Sequence, residues 1–185
     1  MEHLEGRQSI VAALKARQRR FDVILIRHGI HEETVQEILE LAGEMNVAVR
    51  YVDGREIDAL AHGASHGGVI AVVSPKPRMT VEALLEMLSR QAEPALLLLL
   101  EGVDDARNLG FTLRSAEALG AQAVLIKKHL WDFDSVEVAR PASGAYERLP
   151  LVQIDEIKPV QQLQARGIKL VGCLAGVRQT ITTPT

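Results

Sequence analysis

Residues 95–100 read Ala-Leu-Leu-Leu-Leu-Leu, closed by Pro94 on one side and by the polar segment 101–108 on the other. This run constrains the fold more than any other feature. It is far too short to cross a bilayer. A strand that is apolar at every residue must be buried on both faces, as strands of parallel sheets are. Parallel strands need helical crossovers, so the run predicts an α/β fold whose helices lie between strands.

The rest of the chain supplies that alternation. Ile10, Val11, Ala13 and Leu14 set a helical spacing over 7–16, and 21–26 is a short strand-type run. Residues 32–44 carry Val35, Ile38, Leu39, Leu41 and Ala42 on one face with acidic residues in the first turn, the pattern of an amphipathic helix. A strand over 47–52, a short helix over 55–62 and a strand over 68–73 complete a small α/β/α layer. Ser74-Pro75-Lys76-Pro77-Arg78 then places two prolines within three residues, which forbids a helix and predicts an extended spacer. The expected organisation is therefore a domain over 1–73, a linker over 74–79 and a second domain over 80–185. The second domain reads as a helix over 80–91 capped by Thr80, the apolar strand, a helix over 110–119, and a strand over 123–126. A helix over 155–165 and a strand over 169–173 follow. A mostly parallel sheet with right-handed crossovers follows from that order.

Composition narrows the function. Apolar residues make up 47% of the 185, enough for a core, but aromatics only 3%, so that core is aliphatic. The single cysteine, Cys173, excludes an intramolecular disulfide and a cysteine-based zinc site, and reads as a core thiol. His28 and His31 lack a third ligand at useful spacing, so no metal is expected. The N-terminus lacks the basic-then-apolar order of a signal peptide, and no run suits a membrane span, so a soluble cytoplasmic protein is expected. Net charge is −3, with ten basic and eleven acidic residues through Arg78 and eleven and thirteen after it. Neither half is a polycation, so a nucleic acid would have to meet a local patch. Lys15, Arg17, Arg19 and Arg20 form the best candidate, and the same residues also suit the solvated end of a helix.

The densest chemistry follows the apolar strand. In open parallel sheets, ligands gather at the carboxyl ends of strands, where Glu101, Asp104, Asp105, Arg107 and Asn108 must lie. Arg114 is placed near the start of the following helix. The dipole disfavours a cation there, so either a phosphate or carboxylate ligand or an internal partner, Glu101 or Asp105, is expected. Asn108 can order the loop or a substrate. Ser143, Gly144 and Ala145 are small enough to let a ligand approach the backbone, and Ser143 equally suits the N-cap of a helix with Glu147 in its first turn. Trp131 and Phe133 suit either base stacking or covering the core. A doubly wound nucleotide enzyme is disfavoured because no G-x-G-x-x-G follows a strand.

The pattern Glu101-x-Val103-x-Asp105-x-x-Asn108-x-Gly110-x-x-x-Arg114-Ser115-Ala116-x-x-x-Gly120 resembles the first signature of the SpoU (TrmH-type) RNA ribose methyltransferases of the SPOUT superfamily. Residues 142–150, Ala-Ser-Gly-Ala-Tyr-Glu-Arg-Leu-Pro, resemble the second. Gly6-Arg7 opening a helix and His66-Gly67-Gly68 entering a strand look like the small RNA-binding domain that precedes many SpoU catalytic domains. The resemblance implies methyl transfer from S-adenosylmethionine to a ribose 2′-hydroxyl of ribosomal or transfer RNA. Arg114 would be catalytic, with Asn108 and Glu147 positioning. Ser143, Gly144, Leu174, Ala175 and Gly176 would hold the cofactor, and Arg7, Arg17, Arg19, Arg20 and His66 would contact RNA. It also implies a homodimer through the second domain and a trefoil knot. Ala106 stands where the family usually has Pro, and Gly67 where it usually has Gln. The family's third signature, which forms the knot, does not occur before Thr185, so the catalytic domain reads as C-terminally incomplete. The alternative is an RNA-binding module or truncated fragment without methyl transfer.

Overall fold

The computed structural model describes residues 1–63 and 66–173. It divides into two compact units, one spanning Met1–Ile154 and one beginning at Asp155.

The first unit holds two sheets. The N-terminal sheet has the order β1 (Glu2–Glu5), β4 (Val69–Val73), β2 (Phe21–Arg27), β3 (Ala48–Val52). It is mixed: β2 and β3 are parallel, while β4 runs antiparallel to both β1 and β2. The crossover argument therefore holds only for the β2–β3 unit. Helices α1 (Arg7–Ala16), α2 (Glu32–Glu44) and α3 (Gly54–Leu60) connect these strands. The β1 strand has no sequence signal, since Glu-His-Leu-Glu carries a single aliphatic residue, and it pairs only because β4 offers a free edge.

The second sheet is parallel throughout, in the order β5 (Leu97–Leu99), β6 (Ala123–Ile126), β7 (Leu151–Gln153). The strand buried on both faces is β6, whose four residues are all buried. The Leu97–Leu99 strand lies at the edge of this sheet and is half-buried. Helix α4 (Val81–Ser89) starts as expected at Thr80, whose hydroxyl accepts the Ala83 N–H at 3.1 Å. Helix α5 (Ala106–Ala118) begins four residues earlier than the apolar spacing suggested, because Asp105 caps it by accepting the Asn108 N–H at 2.9 Å. Three short helices follow β6: α6 (Lys128–Trp131), α7 (Ser135–Ala142) and α8 (Ala145–Arg148).

The expected spacer at 74–79 is extended but fully engaged. The Ser74 hydroxyl accepts the Arg20 N–H, Lys76 is buried, and Met79 bridges to Val152. One aliphatic cluster runs from Leu4, Ile10 and Ile24 of the N-terminal segment to Leu109, Leu113 and Ile126 of the second sheet, so both sheets share a core.

In the second unit, α9 (Lys158–Ala165) starts where Pro159 suits the first turn. Residues 169–173 are exposed and form no strand. An apolar run becomes a strand only with a ladder partner, and none pairs with it among the described residues. Cys173 is accordingly exposed rather than a core thiol.

Candidate active site and RNA-facing surface

Helix α5 turns one side to the core and the other to solvent. Leu109, Gly110, Leu113 and Ala116 are buried, while Arg107, Asn108, Phe111, Arg114 and Ser115 are exposed. Gly110 is required by packing. A Cβ there would overlap the Val138 carbonyl and the Pro141 ring of α7, so the glycine lets α7 seat directly on α5. The two signature segments thus meet, and Arg148 of α8 fastens them by donating to both carboxylate oxygens of Glu117 on α5, at 2.5 and 2.7 Å.

Arg114 is the ninth of thirteen residues in α5, not at its start. The macrodipole acts mainly within the first turn, so it gives no reason for a ligand there. The reason is the lack of a partner. Neither internal candidate reaches it: Asp105 caps the helix, and Glu101 lies 3.7 Å from Lys127. Among the described residues Arg114 has no hydrogen bond or ion pair, and its guanidinium stands free on an exposed face. Asn108 is also exposed, with only its backbone engaged. At 100° per residue it lies about a third of a turn around the helix from Arg114, so the two side chains do not converge on one point.

Glu147 and Arg19 are placed otherwise than their sequence roles required. Both are buried, with the Arg19 side chain 0% exposed. Arg19 Nε and Nη2 each donate to Glu147 at 2.8 Å, and Nη1 donates to Glu2 at 2.7 Å and to the Ser74 carbonyl at 2.9 Å. Burial alone would lower the guanidinium pKa, but the Glu147 charge outweighs it and holds the pKa above its ordinary value. Arg19 is therefore sealed from any RNA, and Glu147 is spent on a buried ion pair rather than on positioning substrate. Beside them, Lys76 points at the Glu147 carbonyl at 3.5 Å and lies over the Tyr146 ring. Burial pushes its ammonium down to about 8, against the pull of Glu147 and assisted by Arg19.

The cofactor assignments divide in two. Leu174, Ala175 and Gly176 lie outside the described residues. Ser143 is the left-handed C-cap of α7, not an N-cap, and its carbonyl accepts from Arg148. Gly144 has φ +90°, and the space its Cβ would take is filled by Arg148 and Ala12. The side of Gly144 where a Cβ would stand is thus packed by the chain's own residues.

Among the other RNA candidates, Arg7 and Arg20 are exposed. Arg17 is exposed and pairs with Glu44 at 3.1 Å. His66 is 5% exposed: its Nδ1 accepts the Gly68 N–H at 3.0 Å and its Nε2 faces Asp58 at 3.2 Å, so it braces its turn. Trp131 is half-buried beneath the Arg78 guanidinium, 4.8 Å from the ring centroid, and covers the core.

Sequence reasoning missed a cleft of about 770 Å³ that opens at the N-terminus of α1. Its walls include Gly6, Arg7, His62, Arg107 and Arg140. Beneath it the Glu5 carboxyl is buried. Desolvation raises its pKa, but donation from the His62 N–H and the paired Arg140 prevails and holds it below the usual range. Arg7 and Arg107 are 100 residues apart in sequence, so no spacing pattern could have joined them.

The fold of this chain is represented among solved structures. A crystal structure of an RNA 2′-O ribose methyltransferase superposes with a TM-score of 0.66 at 25% identity, covering 89% of this chain and 59% of that one. An AdoMet-bound rRNA methyltransferase from Sinorhizobium meliloti shares the fold, with a TM-score of 0.68 at 17% identity, and the chain covers 58% of it. Residues 3–79 match the RNA 2′-O ribose methyltransferase substrate-binding family and residues 95–184 the SpoU rRNA methylase family. The chain therefore belongs to the SpoU family of RNA ribose methyltransferases. It is 35% identical over 191 residues to the 23S rRNA (guanosine-2′-O-)-methyltransferase RlmB of Pseudomonas syringae pv. tomato, spanning 100% of this chain and 76% of that protein. RlmB of Vibrio vulnificus is 33% identical, over 92% of this chain and 69% of its own length.

Proposed function

We propose that the chain acts in S-adenosylmethionine-dependent methylation of a ribose 2′-hydroxyl in ribosomal RNA, with Arg114 as its catalytic residue. The observation that carries this reading is the free guanidinium of Arg114 on the solvent face of α5, in a segment that matches the methylase family. The bound cofactor supplies a methyl group activated by a sulfonium. A ribose hydroxyl is a poor nucleophile until it loses its proton. Arg114 can hold the adjoining phosphodiester and stabilise the negative charge growing on the 2′-oxygen as the hydroxyl proton passes to water.

We read an RNA-binding segment over 1–73, a connector over 74–79 and a methyltransferase segment over 80–185, a reading that the family matches over 3–79 and 95–184 support while the first segment shares one core with the second sheet. A homodimer acting in the cytoplasm completes the reading. No described helix is long and apolar enough to cross a membrane.

The test is transfer of labelled methyl from S-adenosylmethionine to ribosomal RNA by the wild type and by Arg114→Ala. The variant should lose at least ~100-fold in turnover. RNA affinity should stay within a few-fold and thermal stability unchanged, since the side chain is exposed and unpaired. Retained turnover would remove Arg114 from the reaction. RNA binding by a wild-type chain that transfers no methyl would favour the binding-module reading.

A further inference from the structure

Helix α1 starts with nothing of its own to satisfy its first turn. Its N-cap is Gly6, which has no side chain to accept a hydrogen bond, and no acid follows in the first turn. The amides of Arg7, Gln8 and Ser9 therefore find no acceptor among the described residues. All of residues 6–9 line the cleft of about 770 Å³. Water can meet open amides, so they define no site by themselves. Two side chains on the same walls add to them. Ser9 is only 4% exposed, and its hydroxyl has no partner among the described residues. Arg140 gives Nη2 to Glu5, while its Nε is buried and makes no hydrogen bond. Buried polar groups are almost always paired, so both call for an acceptor.

The acids of the cleft do not supply it. Glu5 already accepts from the His62 N–H and ring and from Arg140, and Glu137 is exposed. What the walls lack is a compact anion with several acceptor oxygens. Helix N-termini take phosphate through open amides and the positive end of the dipole. Arg7 adds a guanidinium that gives only one N–H to its own chain, to the Thr34 carbonyl at 3.2 Å. We propose that the cleft at the α1 N-terminus is a phosphate-binding site, its donors the amides of residues 7–9, the Ser9 hydroxyl and Arg140 Nε, with Arg7 supplying charge. The volume exceeds that of a bare phosphate and leaves room for an attached nucleoside. An RNA backbone and a free mononucleotide present the same phosphate oxygens, and either can fill it. Glu137 has no partner among the described residues and weakens the site by repulsion. The site stands whether or not the chain transfers methyl.

The test is calorimetric titration of inorganic phosphate into the full chain at fixed ionic strength. Wild type should show one saturable site per chain. Ser9→Ala and Arg7→Gln should each weaken it about 10- to 100-fold, the loss of a hydrogen bond to a charged group. Both should melt close to wild type, since Arg7 is exposed and the Ser9 hydroxyl leaves no partner behind. Glu137→Gln should tighten binding about 2- to 5-fold by removing the like charge, a gain that structural damage does not produce. A short oligoribonucleotide then separates the sources. If phosphate displaces it and Ser9→Ala weakens it, the cleft holds an RNA phosphate. If neither happens while inorganic phosphate still binds, the cleft serves a free phosphorylated ligand. Folded wild type that binds no phosphate would overturn the site, as would wild-type affinity in both Ser9→Ala and Arg7→Gln. Methyl transfer in the same samples is scored separately, so loss of either reading leaves the other standing.

Discussion

Replacing Glu147 by alanine should damage stability far more than chemistry. Arg19 makes four hydrogen bonds from a side chain with no solvent exposure, and two of them, Nε and Nη2 at 2.8 Å, end on Glu147. Alanine leaves two N–H donors of a buried cation without acceptors. Each orphaned donor costs about 1–3 kcal/mol, and breaking a buried ion pair from one side costs about 3–5 kcal/mol. The two figures agree, because Glu2 and the Ser74 carbonyl still hold Nη1. At about 2–4 °C per kcal/mol for a chain of this size, the melting temperature should fall by about 6–20 °C. Urea denaturation followed by circular dichroism gives the free energy directly. The double variant Arg19→Met/Glu147→Leu should recover most of the loss, since it removes the charge together with its partner. A Glu147→Ala protein within 1 kcal/mol of wild type would refute the burial argument, as would a double variant no better than the single.

Two further outcomes follow from the same interior. Lys76 titrates at about 8 when folded and at 10.5 when free, so the unfolded chain binds more protons between these values. Stability should therefore rise with pH through that window, by up to about 3 kcal/mol, until Tyr146, held above its ordinary value mainly by burial, opposes the gain above about pH 10. Lys76→Met should flatten that rise in melts recorded from pH 7 to 10, and an unaltered slope would exclude Lys76 as its source. Gly110→Ala should cost about 1–3 kcal/mol despite the better helix propensity of alanine, because α7 cannot retreat from α5. An unchanged melting temperature would show that the two helices can separate without loss.

Much of the framework was legible because it rests on local rules. Helix α2 follows its apolar period, α4 its threonine cap, and β6 its unbroken aliphatic run. The misreadings share one cause, dependence on a distant partner. The Glu2–Glu5 strand exists because β4 has an open edge, and residues 169–173 form no strand because nothing pairs with them among the described residues. Arg19 sat in a run of cations that looked solvated, and only Glu147, 128 residues away, takes it inside. Arg114 was legible as a motif residue. Its freedom was not, because that depends on Glu117 being occupied by Arg148.

The Arg19–Glu147 pair also bears on how such chains can be recombined. Its cation lies in the segment matching the substrate-binding family, and its anion in the segment matching the methylase family. A chimera that took residues 3–79 from a relative would have to inherit a cation at this position, or else strand a carboxylate in an aliphatic interior. The two halves are therefore matched parts, and exchange between family members is limited by this interior pair as well as by the RNA each must bind.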